Sequence, residues 1–266
     1  MKLRLAPWMV LLTLVSSCPV IAAASGVDKE IEDCIRKNAP QSTAIQHIRL
    51  SSMDDMFEEK ILDATVYWKQ LPDGNSDLLA VFEEPSDISG SRLLFLEKKP
   101  DKEIYLYMPA FFKVRRITSS RIASSMYGMD FSYEDFQWLY NMLATATSEQ
   151  RPDAILDGEP VYVLAVVPVD ASGSKYEEVV SYFEKKSCVI RKVEFYEDGR
   201  KLRKILSAAP GAVKQVSGML IPHVFQMKDL KKKSETELVI TSVRLDPVIP
   251  DSIFDPAQLK EPHGIE

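Results

Sequence analysis

From about residue 60 onward the sequence is a succession of short apolar or alternating stretches, each closed by a turn signal, and few folds accept that pattern. Stretches of strand length lie at 62–68, 78–84, 92–98, 103–108, 113–117, 161–167, 188–196, 201–207, 219–228 and 234–245. Turn chemistry separates them: Pro72-Asp73-Gly74-Asn75, Asp157-Gly158, Glu197-Asp198-Gly199-Arg200 and the tip Lys231-Lys232-Lys233. Two segments carry helical spacing without a competing strand period. In 27–37, Val27, Ile31, Cys34 and Ile35 share one face; in 132–143, Ser132 opens a capping-box-like start and Phe136, Leu139, Tyr140 and Leu143 follow at i, i+3, i+4 and i+7. Residues 176–184 satisfy both periods. Strands joined by short turns pair antiparallel, and a sheet of ten or so strands must curl, close or split. The reading is a mainly β chain built on one large curved antiparallel sheet.

Some of these strands are apolar on both faces. Ile104-Tyr105-Leu106-Tyr107-Met108 and residues 161–167 leave no side for water, so something must cover each face.

The start of the chain reads as an export leader. Lys2 and Arg4 precede an apolar core at 7–15, and Ala22-Ala23-Ala24 offers a small-residue cleavage site, so a leader spans 1–24 and a single domain spans 25–266. The competing reading is a lipobox ending at Cys18; Pro19 and the apolar stretch after it speak against lipid anchoring there. Removing the leader takes 266 residues to 242 and, since its charges are Lys2 and Arg4, the net charge from −6 to −8. That balance disfavours nucleic acid as a partner. No later segment has the length of a spanning helix. An oxidising compartment permits Cys34 and Cys188 to form a disulfide, and two buried thiols are the equal alternative.

Residues 105–136, YLYMPAFFKVRRITSSRIASSMYGMDFSYEDF, are the most specific stretch. YMPAFFKVRRI followed by GMDFSYEDF resembles the signature of the outer-membrane lipoprotein-sorting protein family, the relatives of the periplasmic lipoprotein carrier LolA. In that subgroup the pattern runs YLPALKKVRRI and GSDFSYEDL. Tyr107, Pro109, Ala110, Lys113 to Ile117, Gly128 and Asp130 to Asp135 match; Met108, Phe111, Phe112 and Met129 depart from it, all apolar. Weaker likeness continues at 156–162 and 245–254. The resemblance implies an incompletely closed half β-barrel, with residues 176–184 as a strand and the helices at 27–37 and 119–143 covering an apolar concavity. It also implies a periplasmic carrier of lipid or acylated lipoprotein, in transient contact with membrane surfaces and without a cofactor. A hydrophobe-exporting inner-membrane permease is the partner it points to.

Catalytic patterns are missing from the sequence. His47, His223 and His263 are far apart without metal-ligand spacing, and no nucleophile elbow, P-loop or dinucleotide fingerprint occurs. Two sets of residues stand out as candidates for binding. Tyr105, Tyr107, Met108, Phe111, Phe112, Met126, Tyr127, Met129, Phe131 and Tyr133 read either as core or as the lining and lid of an apolar cavity, methionine being adaptable to acyl chains. Arg115 and Arg116, on opposite faces of one strand, read as half of a latch. Its carboxylates would be Asp130, Glu134 and Asp135, closing the lid as a structural ion pair or a releasable one. The lysines at 228 and 231–233 read as a solvated tip, with anionic headgroups as a second reading.

Overall fold

A computed structural model describes residues 27–53, 58–72, 74–97, 102–140, 147–168 and 173–261. The expected leader, Cys18 and His263 lie outside them. In chain order, α1 is Lys29–Arg36, followed by β1 Thr43–Met53, β2 Glu59–Gln70, β3 Ser76–Glu84, β4 Arg92–Glu97, β5 Lys102–Met108 and β6 Lys113–Ile117. Next come α2 Tyr133–Tyr140, β7 Thr147–Leu156, β8 Glu159–Val167, β9 Glu178–Glu184, β10 Ile190–Glu197 and β11 Lys201–Ala208. The last strands are β12 Val213–Val216, β13 Met219–Pro222, β14 Val224–Asp229 and β15 Ser234–Leu245.

Thirteen strands form one antiparallel sheet in the order β6-β5-β4-β3-β2-β1-β15-β14-β11-β10-β9-β8-β7. β6 and β7 are its two edges, so the sheet is curved but not closed, as the resemblance implied. Because β1 pairs with β15 as well as β2, the two halves of the chain are joined at the centre of the sheet. Of the stretch 176–184, residues 178–184 form strand β9, in register between β8 and β10.

The stretch at 219–228 is two strands rather than one. Pro222 has no N–H to give a sheet, and at His223 the chain passes from the small β12-β13 hairpin to the main sheet. The His223 N–H instead donates to the Ala212 carbonyl at 2.9 Å.

Rows of facing side chains make the concave surface apolar: Leu62 lies beside Leu50, Leu50 beside Leu238, and Leu238 beside Phe225. Ile122, Met126, Met129, Phe131, Tyr133 and Phe136, from the segment between β6 and β7, pack onto this surface in the largest core. The convex face of β1 to β5 is covered by the segment after β15: Ile249, Ile253, Phe254 and Leu259 close over Ile45, Tyr67, Leu79, Leu94 and Tyr107. For 104–108 both apolar faces are thereby accounted for, with β5 placing Ile104 and Leu106 inward and Tyr107 outward, whereas Val161, Val163 and Ala165 of β8 pack with side chains of neighbouring strands. At the far side Ile31 of α1 packs with Leu164 and Phe183. Among the described residues no helix is long and apolar enough to cross a membrane.

Candidate functional site

The segment entering the concavity is held by its own sequence. Tyr127 and Gly128, with φ of 48° and 83°, make a tight turn that sends both Met126 and Met129 into the core. Ser132 and Asp135 then cap α2 reciprocally: the Ser132 N–H donates to Asp135 Oδ2 at 2.7 Å, and the Asp135 N–H donates to Ser132 Oγ at 3.2 Å.

Two of the three carboxylates of the GMDFSYED stretch, Asp130 and Asp135, then reach the sheet. Lys204 Nζ donates to Asp135 Oδ2 at 2.6 Å and to the Asp130 carbonyl at 2.8 Å, while the Tyr176 hydroxyl donates to Asp135 Oδ1 at 2.6 Å. Asp130 accepts from Ser234 Oγ at 2.5 Å and from Thr236 Oγ1 at 2.9 Å. The side chains of Lys204 and Asp135 are 8% and 0% exposed, so this is a buried charge pair whose remaining hydrogen-bonding capacity is met by neighbours. Glu134 turns the other way and accepts from the Ser174 hydroxyl and, at 3.3 Å, from the Lys175 N–H. Burial, reinforced by Asp135, pushes its carboxyl up to about 7 against the pull of those donors.

Beside the last turn of α2 the described residues leave the concave face unfilled. A cavity of about 260 Å³ lies there, floored by Ala44, Trp68, Phe225, Leu238 and Ile240 and walled by Leu139 and Tyr140 of α2. The Tyr140 hydroxyl donates to Gln46 Oε1 at 3.0 Å, fixing that wall to β1. Over the other side stand Leu220 to Pro222 of β13, Phe183 of β9, and the residues following α1. This rim is covalently fastened, since Cys34 of α1 and Cys188 of the β9-β10 turn form a disulfide with Cα atoms 5.2 Å apart. Asn38 adds a bridge: its Nδ2 donates to the Ser187 carbonyl at 2.8 Å and its Oδ1 accepts the Leu220 N–H at 2.9 Å. The cavity lining is chiefly hydrocarbon, with Arg36 and the amides of Asn38, Gln41, Gln46 and Gln70 as its main polar groups. It suits an acyl chain or another slender apolar group.

The residues expected to bind or cover a ligand are distributed differently from one another. Met126, Met129, Phe131 and Tyr133 are buried in the plugged part of the concavity, and Tyr127, beside Phe82 with ring centroids 4.9 Å apart, packs at its margin. Burial pushes the Tyr127 phenol up to about 12. Met108 borders the same core, whereas Tyr105 and Tyr107 face the convex side under the C-terminal residues. Phe111 and Phe112 are exposed. None of these ten residues lines the cavity beyond α2.

The expected latch also divides. Asp130, Glu134 and Asp135 meet Ser234, Thr236, Ser174, Tyr176 and Lys204 rather than the arginines. Arg116 pairs at 3.4 Å with Glu103, and Arg115 lies over the Phe111 ring, 5.9 Å from its centre. The reason is topological: β6 is the outermost strand, while the carboxylates are drawn toward β11 and β15 on the other side of the sheet centre. Lys204 was missed because a strand carrying Lys201, Arg203 and Lys204 gives no sign of its own that one lysine points inward. The parity of Leu206 and Ala208, two and four residues on, was the available signal.

Of the histidines, His47 Nδ1 lies 2.8 Å from Thr65 Oγ1 and His223 Nδ1 lies 2.9 Å from the Ile221 carbonyl. Among the described residues no group of three or more His, Cys, Asp or Glu side chains is arranged to hold a metal ion.

An open antiparallel sheet wrapped round an apolar concavity, with a helix-bearing segment folded into it, is a LolA-like fold. A domain from Vibrio parahaemolyticus, described as that of an outer membrane lipoprotein-sorting protein, superposes with a TM-score of 0.77 at 23% identity, covering 87% of this chain and 97% of that one. A DUF1329 family protein from Desulfovibrio piger gives 0.77 at 21% identity over 86% and 96% of the two chains. A LolA superfamily protein from Nitrosomonas europaea gives 0.70 at 19%, over 85% and 96%. No protein of curated function matches the chain. A family model described only as "uncharacterized protein"-like matches residues 74–261, and the chain belongs to that family.

Proposed function

We propose that this protein is a periplasmic carrier that holds an acyl chain, of a lipid or of a lipoprotein, in the open part of its concavity and delivers it to another envelope component. The observation that carries the reading is the cavity of about 260 Å³ between α2 and the disulfide-fastened rim. It lies just below the roughly 300–1,000 Å³ common for small-molecule sites, a size for one chain rather than two. Each buried methylene contributes about 0.8 kcal/mol, so a run of about ten gives micromolar binding without any charged contact. Export by a cleaved leader and handover to a hydrophobe-exporting permease belong to the same reading, and no covalent chemistry is part of it.

A second reading, a docking module that carries no cargo, draws on the plugged part of the concavity, where side chains occupy the place a ligand would take. Native mass spectrometry with lipid extraction, on protein recovered from the periplasm, separates the two. A stoichiometric acyl lipid or acylated peptide, reduced by Ala44→Leu, is the expected result. A clean apo mass that also takes up no added phospholipid or lipopeptide would favour the docking module.

A further inference from the structure

The tip joining β5 to β6 is left unused by the cavity and by the core. Pro109–Phe111 form a single 3-10 turn, and Phe112 follows at φ 48°, its N–H donating to the Pro109 carbonyl at 3.0 Å. A bulky residue takes that left-handed conformation only where its surroundings impose it. The outcome is two consecutive phenylalanines in water, 56% and 76% exposed.

Charge gathers at the same place. Lys113, Arg115, Arg116 and Arg121 are all exposed, and no acidic residue occurs between Glu103 and Asp130, in a chain whose net charge is −6. Glu103, at the start of this stretch, pairs with Arg116 at 3.4 Å. Arg115, over the Phe111 ring, keeps its guanidinium beside the aromatic pair. The lysine tip between β14 and β15 is a poorer candidate, because Asp229 accepts the N–H groups of Lys231 and Lys232 and lies 3.9 Å from Lys232 Nζ.

We infer that Phe111 and Phe112, with Lys113, Arg115 and Arg121 around them, dock this protein on an anionic phospholipid surface. The rings enter the headgroup boundary and the cations lie over the phosphates. Charge complementarity favours an anionic bilayer as the occupant, because four exposed cations gather around two exposed rings on a chain that is acidic overall. β6 is also an edge strand, so pairing with a partner strand is the competing use of the same region.

The test is co-sedimentation of the purified protein, freed of its leader, with vesicles of phosphatidylglycerol mixed into phosphatidylcholine, and with phosphatidylcholine alone. Binding is expected only to the anionic vesicles, weakened by salt. It should fall by at least about tenfold in F111S/F112S, and by about fivefold for each of Lys113→Gln and Arg115→Gln. Lys231→Gln should bind like the unaltered protein. Ala44→Leu should also bind normally, so an empty cavity and a non-binding tip are told apart. Failure of the unaltered protein to bind anionic vesicles overturns the proposal, as does undiminished binding by F111S/F112S that still melts like the parent. A β6-edge interaction with protein would show the first of these results.

Discussion

Along β1 the concave face changes character between Ser52 and Ala44. At one end Ser52 Oγ donates to Met129 Sδ at 3.3 Å and the inserted segment fills the space down to the sheet. At the other, Ala44 and Gln46 look into a cavity. The same strands floor both parts, so the difference lies in what is held above them. The filled part is secured by buried polar groups, Lys204 with Asp135 and Asp130 with Thr236, which tie an inserted loop to β11 and β15. The open part is secured by a covalent bond and an amide bridge round its rim and by the Tyr140 hydroxyl on Gln46 at its wall, none of them an ion pair. A ligand can therefore enter the open part without breaking a buried ion pair, whereas the filled part would have to lose one.

The largest effect should come from the buried pair. Lys204→Ala leaves Asp135 charged and unpartnered by a cation, a loss of about 3–5 kcal/mol. Urea denaturation should register it, and hydrogen exchange should accelerate first across 126–136 while the rim at 27–41 stays protected. If both regions loosen together, the two parts of the concavity are not separately secured.

Removing the disulfide asks the converse. Cys34 and Cys188 are 154 residues apart, and C34A/C188A should cost about 2–5 kcal/mol. Here exchange should rise at 27–41 and 185–190, and acyl-chain uptake should change, with 126–136 held by Lys204. Equal exchange at the rim with and without the bond would leave Asn38 as its principal fastening.

Glu134 makes the filled part sensitive to pH. With its carboxyl at about 7 in the folded protein, against 4.5 as the ordinary value, the folded state binds the proton more tightly. Stability is therefore greatest below about pH 4.5 as far as this group is concerned, and is lost as pH rises through about 7. The change is about 3 kcal/mol over that window. Glu134→Gln should flatten the difference in urea midpoint between pH 5 and pH 8. Retention of the slope would place the responsible group elsewhere.

Much of this architecture is legible in the sequence because it rests on local rules. Alternation in β2 to β5, the turn at Gly199 and the capping pair Ser132 and Asp135 each specify their own conformation. β1 and β7 are less legible. β1 sits at the centre of the sheet yet carries Gln46, His47 and Arg49, polar because parts of both its faces meet water or the cavity mouth. β7 contains Pro152 at a break in its register with β8, affordable on an edge strand. The location of the cavity is a tertiary fact. It lies beside Leu139 and Tyr140, and its floor of Ala44, Trp68 and Ile240 is as apolar as the filled floor of Leu50 and Leu62. Richness in aromatic and methionine side chains marked the plug, since the residues that fill a concavity and those that would line one share the same chemistry.

The smallest effects belong to the arginines of β6. Arg116 is half exposed, and its pairing with Glu103 is a surface contact worth about 0–1 kcal/mol, while Arg115 has a single ring contact in water. Neither touches the carboxylates that hold the inserted segment. Arg115→Ala and Arg116→Ala should accordingly leave exchange across 126–136 unchanged and shift the urea midpoint by less than Lys204→Ala does. Faster exchange there in either variant would mean that β6 and the segment after it unlock together, and that the filled part is a lid governed from the sheet edge rather than a plug anchored at its centre.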